Sequence, residues 1–391
     1  MPHALRPRVR VPLCGVPLLA ALTVAGCASA PPPASDDSAP EASPGPAQSS
    51  ASASASPSTS SPPSPANPRQ ITLAFAGDVH FERQLAPLLR DGKDEWATRL
   101  PELAAADFAM VNLETALTER GSPAAKTYTF RAPPAALDVL SSAGVDAVSM
   151  ANNHAADYGR TGIEDTLAAI AKSPIPVAGF GKDESAAYAP VSVDVQGVRV
   201  GIVAATEIAE ETYANHSAGP DKPGVAQNVE RDRFTRAATE AVRDHDLVVA
   251  YMHWGTEGST CPNERQVETA RVLGDAGVDV IVGTHAHRPQ GSGWTGRTFV
   301  GYGTGNFVWY NASPGSRSSG VLSVSVDADS VRARKNGQDP RTSVVKAYEW
   351  APKIISGGGV PQDPTASRAA VTQAADAAKR CSGLAQEPGS G

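Results

Sequence analysis

The sequence predicts an α/β fold, and three features of the chain support this expectation. From residue 71 onward, short runs rich in Val, Ile, Ala and Phe alternate with longer segments of helical character, as in a sheet covered by helices. Several of the short runs are apolar at every position, which is typical of strands buried on both faces. Two later runs alternate polar and apolar residues, as hairpin partners do. We therefore expect a mixed sheet or two stacked sheets.

The strand candidates are short, and several end directly at polar side chains. They are Ile71–Ala76, Phe108–Val111, Val145–Met150, Val191–Val195, Val198–Ala204, Leu247–Met252, Val278–Val282, Thr298–Tyr302 and Gly320–Val326. The helix candidates between them are Pro133–Ala143, Gly162–Ala171, Val229–His245 and Glu264–Ala276. These elements place one folded domain at residues 70–355. Residues 356–391 are expected to form a loosely held tail, with a short helix around Ala366–Arg380.

The beginning of the chain has the pattern of a bacterial export signal. Three arginines precede an apolar stretch at residues 11–24 that is too short to be a stable bilayer anchor. The sequence Val24-Ala25-Gly26-Cys27 resembles a lipobox, so residues 1–26 are predicted to be a lipoprotein signal peptide and Cys27 the lipidated residue. An ordinary signal peptide, cleaved at the small residues after Cys27, is the alternative.

Residues 27–69 are expected to be a disordered tether. They are almost wholly Ala, Ser and Pro with a few acids, and they lack the apolar periodicity needed to bury a core. Removing residues 1–26 removes three arginines and no acid, which takes the formal charge from -7 to -10. The remainder has no long basic run. This argues against a nucleic-acid partner, because such partners require clustered Lys and Arg.

Two of the 4 cysteines remain after signal removal and lipidation of Cys27. Cys261 and Cys381 can pair in an exported protein. Two free thiols are the alternative, because the sequence gives no distance between them. We favour the disulfide, which would tie the tail to the segment after His253.

Six short polar signatures stand out, and five of the 8 histidines fall inside them. A lone His after a strand is more often a structural hydrogen-bonding residue than a ligand. The recurrence on several strands favours one shared site, because ligands of open α/β sheets bind beyond the carboxyl ends of the strands. Asp, Glu, Asn and His supply the oxygen and nitrogen donors of divalent transition metals. The signatures are Gly77-Asp78-Val79-His80, Asn112-Leu113-Glu114, Asn152-Asn153-His154, His253-Trp254-Gly255, His285-Ala286-His287 and Gly305-Asn306-Phe307.

Taken in order, these signatures resemble the CapA family of bacterial capsule-synthesis proteins, which are tied to poly-γ-glutamate. The resemblance covers about Ile71 to Tyr310 and includes Arg83, the run Asp157-Tyr158-Gly159 and Glu257. The motif plan is similar to that of calcineurin-like metallophosphoesterases. The resemblance therefore implies a layered α/β/β/α sandwich of mixed sheets with a two-metal site.

The resemblance also implies a role for each donor. The first metal would be held by Asp78, His80 and His287, and the second by Asn153, His253 and His285. Glu114 would take the place of the bridging carboxylate, although phosphoesterases usually have Asp there. His154 would be a catalytic acid beside the metals. Many family members lack a His at the position of His80, so this chain has a more complete set of donors.

The donor types suit two divalent ions of Mn, Fe, Zn or Ni and do not choose among them. Such a pair can activate a water molecule and polarise the bond that it attacks. Arg83 and Arg131 are candidates to clamp an anionic substrate, with surface ion pairs as the alternative. Glu257 is expected to orient His253.

Three functions remain open at this point. One is an envelope enzyme that hydrolyses or transfers at an anionic polymer, with poly-γ-glutamate implied by the resemblance. Another is a metallophosphoesterase acting on envelope phosphates. The third is a non-catalytic subunit of polymer assembly or export. In each case, we expect a lipid-anchored protein on the extracytoplasmic face of the cell membrane, alongside polymer synthesis or export subunits.

Overall fold

The structure is a computed structural model that describes residues 69–389, except residues 91–95, 97, 311–314 and 339–341. The predicted signal peptide, Cys27 and all of the predicted tether except Arg69 lie outside the described residues. Within the described part of the chain, no helix combines the length and apolar character needed to cross a membrane.

The larger sheet contains eight strands. They are β1 (Gln70–Val79), β2 (Phe108–Leu113), β5 (Ala147–Ser149), β6 (Val177–Ala178), β15 (Asn306–Val308), β16 (Ser318–Asp327), β17 (Val345–Ile355) and β18 (Pro361–Gln362). The strand order is β18-β17-β16-β1-β2-β5-β6, and β15 pairs with the end of β1. Strands β1, β2, β5 and β6 are parallel, whereas β16, β17 and β18 add antiparallel pairs. The sheet is therefore mixed, as predicted.

The second sheet has six strands in the order β13-β14-β12-β11-β9-β8. They are β8 (Val191–Val195), β9 (Val198–Thr206), β11 (Leu247–Trp254), β12 (Val280–His285), β13 (Ser292–Thr295) and β14 (Thr298–Gly301). The four central strands are parallel, and each edge strand is an antiparallel hairpin partner. Two small ribbons pair β3 (Ala116–Leu117) with β4 (Arg131–Ala132) and β7 (Phe180–Gly181) with β10 (Gly224–Val225).

Nine α-helices lie within the described residues, together with a 3-10 helix at Arg83–Arg90. They are α1 (Pro101–Ala105), α2 (Ala135–Ser142), α3 (Gly159–Ile170), α4 (Glu184–Tyr188), α5 (Glu211–His216), α6 (Arg231–Asp244), α7 (Glu264–Asp275), α8 (Ala328–Lys335) and α9 (Arg368–Cys381). Helix α7 begins with a capping box, in which the side chains of Asn263 and Gln266 each accept the other residue's backbone N–H.

The two sheets stack face to face, which explains why the residues of β11 before His253 are all apolar or aromatic. Val249 and Tyr251 belong to the core that includes the larger sheet, whereas Val248 and Ala250 pack with α6 on the opposite side. The Tyr251 hydroxyl crosses between the sheets and donates to the carbonyl of Ala76 at 2.6 Å. Because β11 is covered on both faces, every position is buried. The expected α/β/β/α sandwich is confirmed.

The C-terminal segment differs from the expected loose tail. Strand β18 pairs with β17, and the backbone of Ala385 exchanges two hydrogen bonds with Trp294, at 2.8 and 2.9 Å. Cys261 and Cys381 form a disulfide, so the pairing that we favoured is confirmed. The expectation of a loose tail was wrong because its Gly- and Pro-rich composition does not show backbone pairing with distant strands.

Candidate metal centre

The strand ends predicted to carry the site meet at one edge of the sandwich. In the larger sheet, Asp78 of β1 is in register with Asn112 of β2 and with Asn306 of β15. In the second sheet, His253 of β11 is in register with Thr284 of β12. Because parallel strands share one direction, their carboxyl ends place these side chains together.

Asp78 is a fully buried carboxylate held by three neighbours. Asn112 donates to it at 2.9 Å and the backbone N–H of His285 at 3.3 Å, while His287 Nδ1 lies 3.2 Å away. Burial alone would raise the pKa of Asp78, but the hydrogen bond and charge of His287 lower it below its ordinary value. Burial alone would lower the pKa of His287, but the hydrogen bond and charge of Asp78 outweigh it and raise that pKa above its ordinary value. Asp78 is therefore an ionised donor in the folded protein.

A tight backbone contact positions Asp78. The preceding residue, Gly77, packs against the chain at Gly305 so closely that a Cβ atom there would lie 1.7 Å from the Gly305 carbonyl oxygen. The N–H of Asp78 donates to that same oxygen at 3.0 Å. The glycine before Asp78 is therefore required by this close approach.

Glu114 is the least satisfied group in the site. Its side chain is fully buried, and neither carboxylate oxygen has a hydrogen-bond partner. Burial, followed by the charge of Asp78, raises the pKa of Glu114 well above its ordinary value. An unpaired buried charge costs several kcal/mol, so such a carboxylate requires either a proton or a cation. One oxygen lies 3.5 Å from His253 Nε2, a suitable distance for both atoms to contact one ion.

Three further donors converge beside Glu114. His253 Nε2 lies 2.9 Å from the Asn153 side-chain oxygen and 3.1 Å from His285 Nδ1. Burial lowers the pKa of His253 to about 3 and that of His285 well below its ordinary value. Both rings are therefore neutral near pH 7, which is the state that binds metals. On the other edge of the His253 ring, Nδ1 lies 3.0 Å from the Thr284 hydroxyl, which orients the ring.

The backbone turns sharply where β12 ends. His285 has φ +81° and His287 has φ +54°, in the left-handed region that side chains other than glycine rarely adopt. Each such residue costs roughly 1–3 kcal/mol. The turn directs both imidazoles into the site, and backbone strain of this kind is common where side chains bind a ligand.

Among the residues that the structure describes, the potential ligand atoms group into three clusters, in each of which they lie within 4.8 Å of one another. Glu114 belongs to two of them, as a bridging carboxylate would. His287 and His285 also belong to two clusters each. The clusters are Asp78–Glu114–His287, Glu114–His253–His285 and Glu257–His285–His287.

His80 lies apart from these clusters and is enclosed by aromatic rings. Phe130 stacks on it with centroids 4.5 Å apart, and the Trp309 and Tyr310 rings approach edge-on at 4.4 and 4.7 Å. Its Nδ1 accepts the Glu82 N–H at 3.1 Å, whereas Nε2 is buried without a partner. The ligand role expected for His80 stays a prediction.

His154 is held by a carboxylate and faces the cluster. Its Nδ1 lies 2.6 Å from Asp157, which also accepts from Lys126 and from the N–H of Phe130, both at 2.7 Å. The opposite nitrogen, Nε2, is 3.9 Å from Glu114. Burial lowers the pKa of His154, and Asp157 partly opposes this shift. The ring is therefore fixed beside the proposed ligands, in the place expected for a proton-transfer group.

The two arginines predicted to bind substrate are exposed. Arg83 lies over the ring of Tyr310 at 4.7 Å, and Arg131 over that of Tyr158 at 4.9 Å. Both line one open pocket of about 300 Å³. Glu257 does not lie where we expected, because its carboxylate clusters with His285 and His287 instead of orienting His253.

Several residues of the site were not assigned roles from the sequence. Asn112 stands inside a strand-end signature and Thr284 directly precedes one, so their positions gave a usable signal. Asp157 follows His154 by three residues, so its contact with that ring could also have been predicted from the sequence. Lys126 lies outside the signatures, and only the fold brings it to Asp157.

The fold and the site together define a layered α/β/β/α protein with a candidate metal centre at the edge of its sheets. Residues 72–311 match the family described as bacterial capsule synthesis protein PGA_cap. This match spans more than half of the 391 residues, and the chain belongs to that family. The resemblance noted from the signatures is thereby confirmed.

Two relatives and one solved structure show how far the similarity extends. The PGA biosynthesis protein CapA of Bacillus subtilis (strain 168) is 30% identical over 257 residues, which are 64% of this chain and 67% of the relative. The capsule biosynthesis protein CapA of Bacillus anthracis is 27% identical, over 61% of this chain and 60% of the relative. The crystal structure of a phosphatase from Mycoplasma pneumoniae covers 76% of this chain and 96% of its own, with a TM-score of 0.45 and 17% identity.

Proposed function

We propose that this protein is a metal-dependent hydrolase or transferase that acts on an anionic capsule polymer such as poly-γ-glutamate. The observation that carries the metal-dependent part is Glu114, a buried carboxylate with two unpartnered oxygens beside neutral imidazoles. The polymer is inferred from the family and from the names of the relatives in the two Bacillus species.

The donors that fit two divalent ions surround Glu114. When bound, two such ions activate a water molecule as nucleophile and polarise the bond that it attacks. No Ser or Cys nucleophile is then required. The mixed oxygen and nitrogen set suits Mn, Fe, Zn or Ni. The residues that would hold the ions are Asp78, Glu114, Asn153, His253, His285 and His287, with His80 as a further candidate.

His154 would transfer the proton. Its Nδ1–H points at Asp157, so Nε2 is the free nitrogen that faces Glu114. The Asp157 carboxylate stabilises the charged ring that forms when Nε2 accepts a proton. His154 can therefore take up the proton of the attacking water and deliver it to the leaving group.

Arg83 and Arg131 would hold the anionic substrate. Both guanidinium groups are exposed at the same pocket, and each stacks on a tyrosine ring that restrains it. Guanidinium groups match carboxylates and phosphates alike. A phosphoester of the cell envelope is for this reason the second candidate substrate.

The proposed setting is the outer face of the cell membrane. The lipobox at Cys27 and the Ala-, Ser- and Pro-rich segment after it support a lipid-anchored domain on a flexible tether. Polymer synthesis or export subunits would be its neighbours there. In the alternative of a non-catalytic assembly subunit, the protein would have the same fold but would not turn over a substrate.

The test is metal analysis of residues 67–391, followed by assays with γ-glutamyl oligomers and with phosphodiesters in parallel. We expect bound divalent metal and metal-dependent cleavage or transfer of γ-glutamyl chains. Turnover of the phosphodiester alone would favour the second candidate. A purified protein that binds no divalent metal would contradict both.

A further inference from the structure

The loop after β11 brings the carboxylate of Glu257 to the metal centre. The motif plan of the family does not assign this carboxylate to either metal. Glu257 is exposed, and one of its oxygens lies within 4.8 Å of ring nitrogens of both His285 and His287. Two imidazoles and a carboxylate form a donor set that binds zinc and related ions. Since His80 stands outside the clusters, Glu257 offers the third donor at this end of the site.

This loop is fixed to the histidine segment and to the C-terminal helix. The N–H of Gly258 donates to the carbonyl of Ala286, between the two histidines, at 2.8 Å. The side chain of Gln290 donates to the carbonyls of Ser259 and Cys261 at 3.1 and 3.2 Å. The disulfide from Cys261 then joins the loop to the end of α9, across a sequence separation of 120 residues.

We propose that Glu257 is a metal ligand together with His285 and His287, and that the Cys261–Cys381 disulfide holds it in position. The inference rests on the metal centre proposed above. An exposed carboxylate on a free loop would have to be ordered when metal binds, at a cost in conformational entropy. A loop already linked to α9 avoids much of that cost, so the disulfide raises metal affinity through Glu257.

The experiment measures zinc affinity by competition with a chelator, in the domain of residues 67–391. We expect Glu257→Gln to lower the affinity for one of the two metals by about tenfold to a hundredfold, the range typical when a partner of a metal site is lost. The double variant Cys261→Ser/Cys381→Ser should lower the affinity for that same metal. Adding the double change to Glu257→Gln should cause no further loss, because both act through one carboxylate.

Matched variants separate this effect from general destabilisation. Glu264→Gln removes an exposed charge seven positions along the chain and should leave both affinities unchanged. Val371→Ala weakens the packing of α9 but keeps the disulfide, so it should lower the unfolding temperature without changing the affinities.

Two results would overturn the proposal while leaving the metal centre intact. One is a Glu257→Gln variant that binds both metals as the parent does. The other is a disulfide variant whose metal affinities are unchanged, or whose loss of affinity adds fully to the loss caused by Glu257→Gln. If the parent itself binds neither zinc nor Mn, Fe or Ni, the metal centre proposed above is wrong, and that outcome is distinct.

Discussion

At the scale of single residues, Glu114 has the environment that most needs an explanation. Its carboxylate is fully buried beside Asp78 and has no donor to either oxygen. In a protein without metal, the group must hold a proton or remain an uncompensated charge. Cations held with His253 on one side and with Asp78 on the other would satisfy this carboxylate, so the state of Glu114 should depend strongly on metal binding.

Glu114 should make the metal-free protein less stable as the pH rises. Because burial raises its pKa in the folded state, the folded protein binds the proton more tightly than the unfolded chain. Its contribution is fully present below the ordinary pKa near 4.5 and is lost as the pH rises through the raised value. We expect Glu114→Gln to remove this part of the pH dependence in urea unfolding with a chelator present. Identical pH profiles for parent and variant would contradict the assignment.

His154 should be needed for turnover and not for metal binding. It is held by Asp157 and stands 3.9 Å from Glu114, so it can transfer a proton without being a ligand. We expect His154→Ala to keep its metal content and to lose on the order of a hundredfold or more in rate. Metal analysis and steady-state kinetics measure the two effects separately. A variant that loses metal would make His154 a ligand, and one with full rate would exclude the proposed proton transfer.

At the scale of elements, the strand ends position the side chains of the site, and helix α7 helps to hold the loop beside it in place. Strands β11 and β12 are buried along their whole length and place His253 and His285 at adjacent ends. Helix α7 follows the loop that carries Glu257, and its first residues are tied to that loop. Asn263 caps the helix and also donates to the Thr256 side chain at 3.1 Å.

Loss of the cap of α7 should lower the stability of the domain. Asn263→Ala removes the side-chain acceptor for the N–H of Gln266, which then lacks a partner at the helix start. We expect a loss of about 0.5–2 kcal/mol in the free energy of unfolding. Thermal or urea unfolding measures it, with Thr239→Ala on the exposed part of α6 as the control. Equal stabilities of the parent and Asn263→Ala would show that the cap contributes little.

At the scale of the whole molecule, two sheets and a linked C-terminal segment form one frame around the site. The stacked sheets share a core through contacts such as Phe75 with Tyr251, whose ring centroids are 6.3 Å apart. The candidate site requires both sheets, because Asp78 and Glu114 come from the larger sheet and His253 and His285 from the second. The proposed attachment to the membrane is a separate matter, because it depends on residues 1–69.

Replacement of Cys27 should detach the protein from the membrane. In the lipobox interpretation this residue alone carries the lipid, and the tether after it has no apolar run to substitute for it. We expect Cys27→Ser to be found unprocessed or released into the medium, with the folded domain unchanged. Fractionation of cells expressing parent and variant measures this. An unchanged distribution would mean that Cys27 is not the lipidated residue.

The sequence by itself predicted the layered α/β fold and the strand-end donors. These depend on local patterns: apolar runs of strand length, and polar residues at the points where such runs end. His253 and His285 could be named together because neighbouring parallel strands bring their carboxyl ends to one edge of a sheet. Asp78 lies on the other sheet and meets them only because the two sheets stack.

Only the tertiary structure decided which of these groups meet. The aromatic rings around His80, the contact of Lys126 with Asp157 and the place of Glu257 beside His285 all join residues from separate elements. The attachment of the C-terminal segment through Ala385 is of the same kind. Such contacts depend on the packing of whole layers, and local residue patterns do not encode them; the sequence alone predicted the donors, and the fold determined their partners.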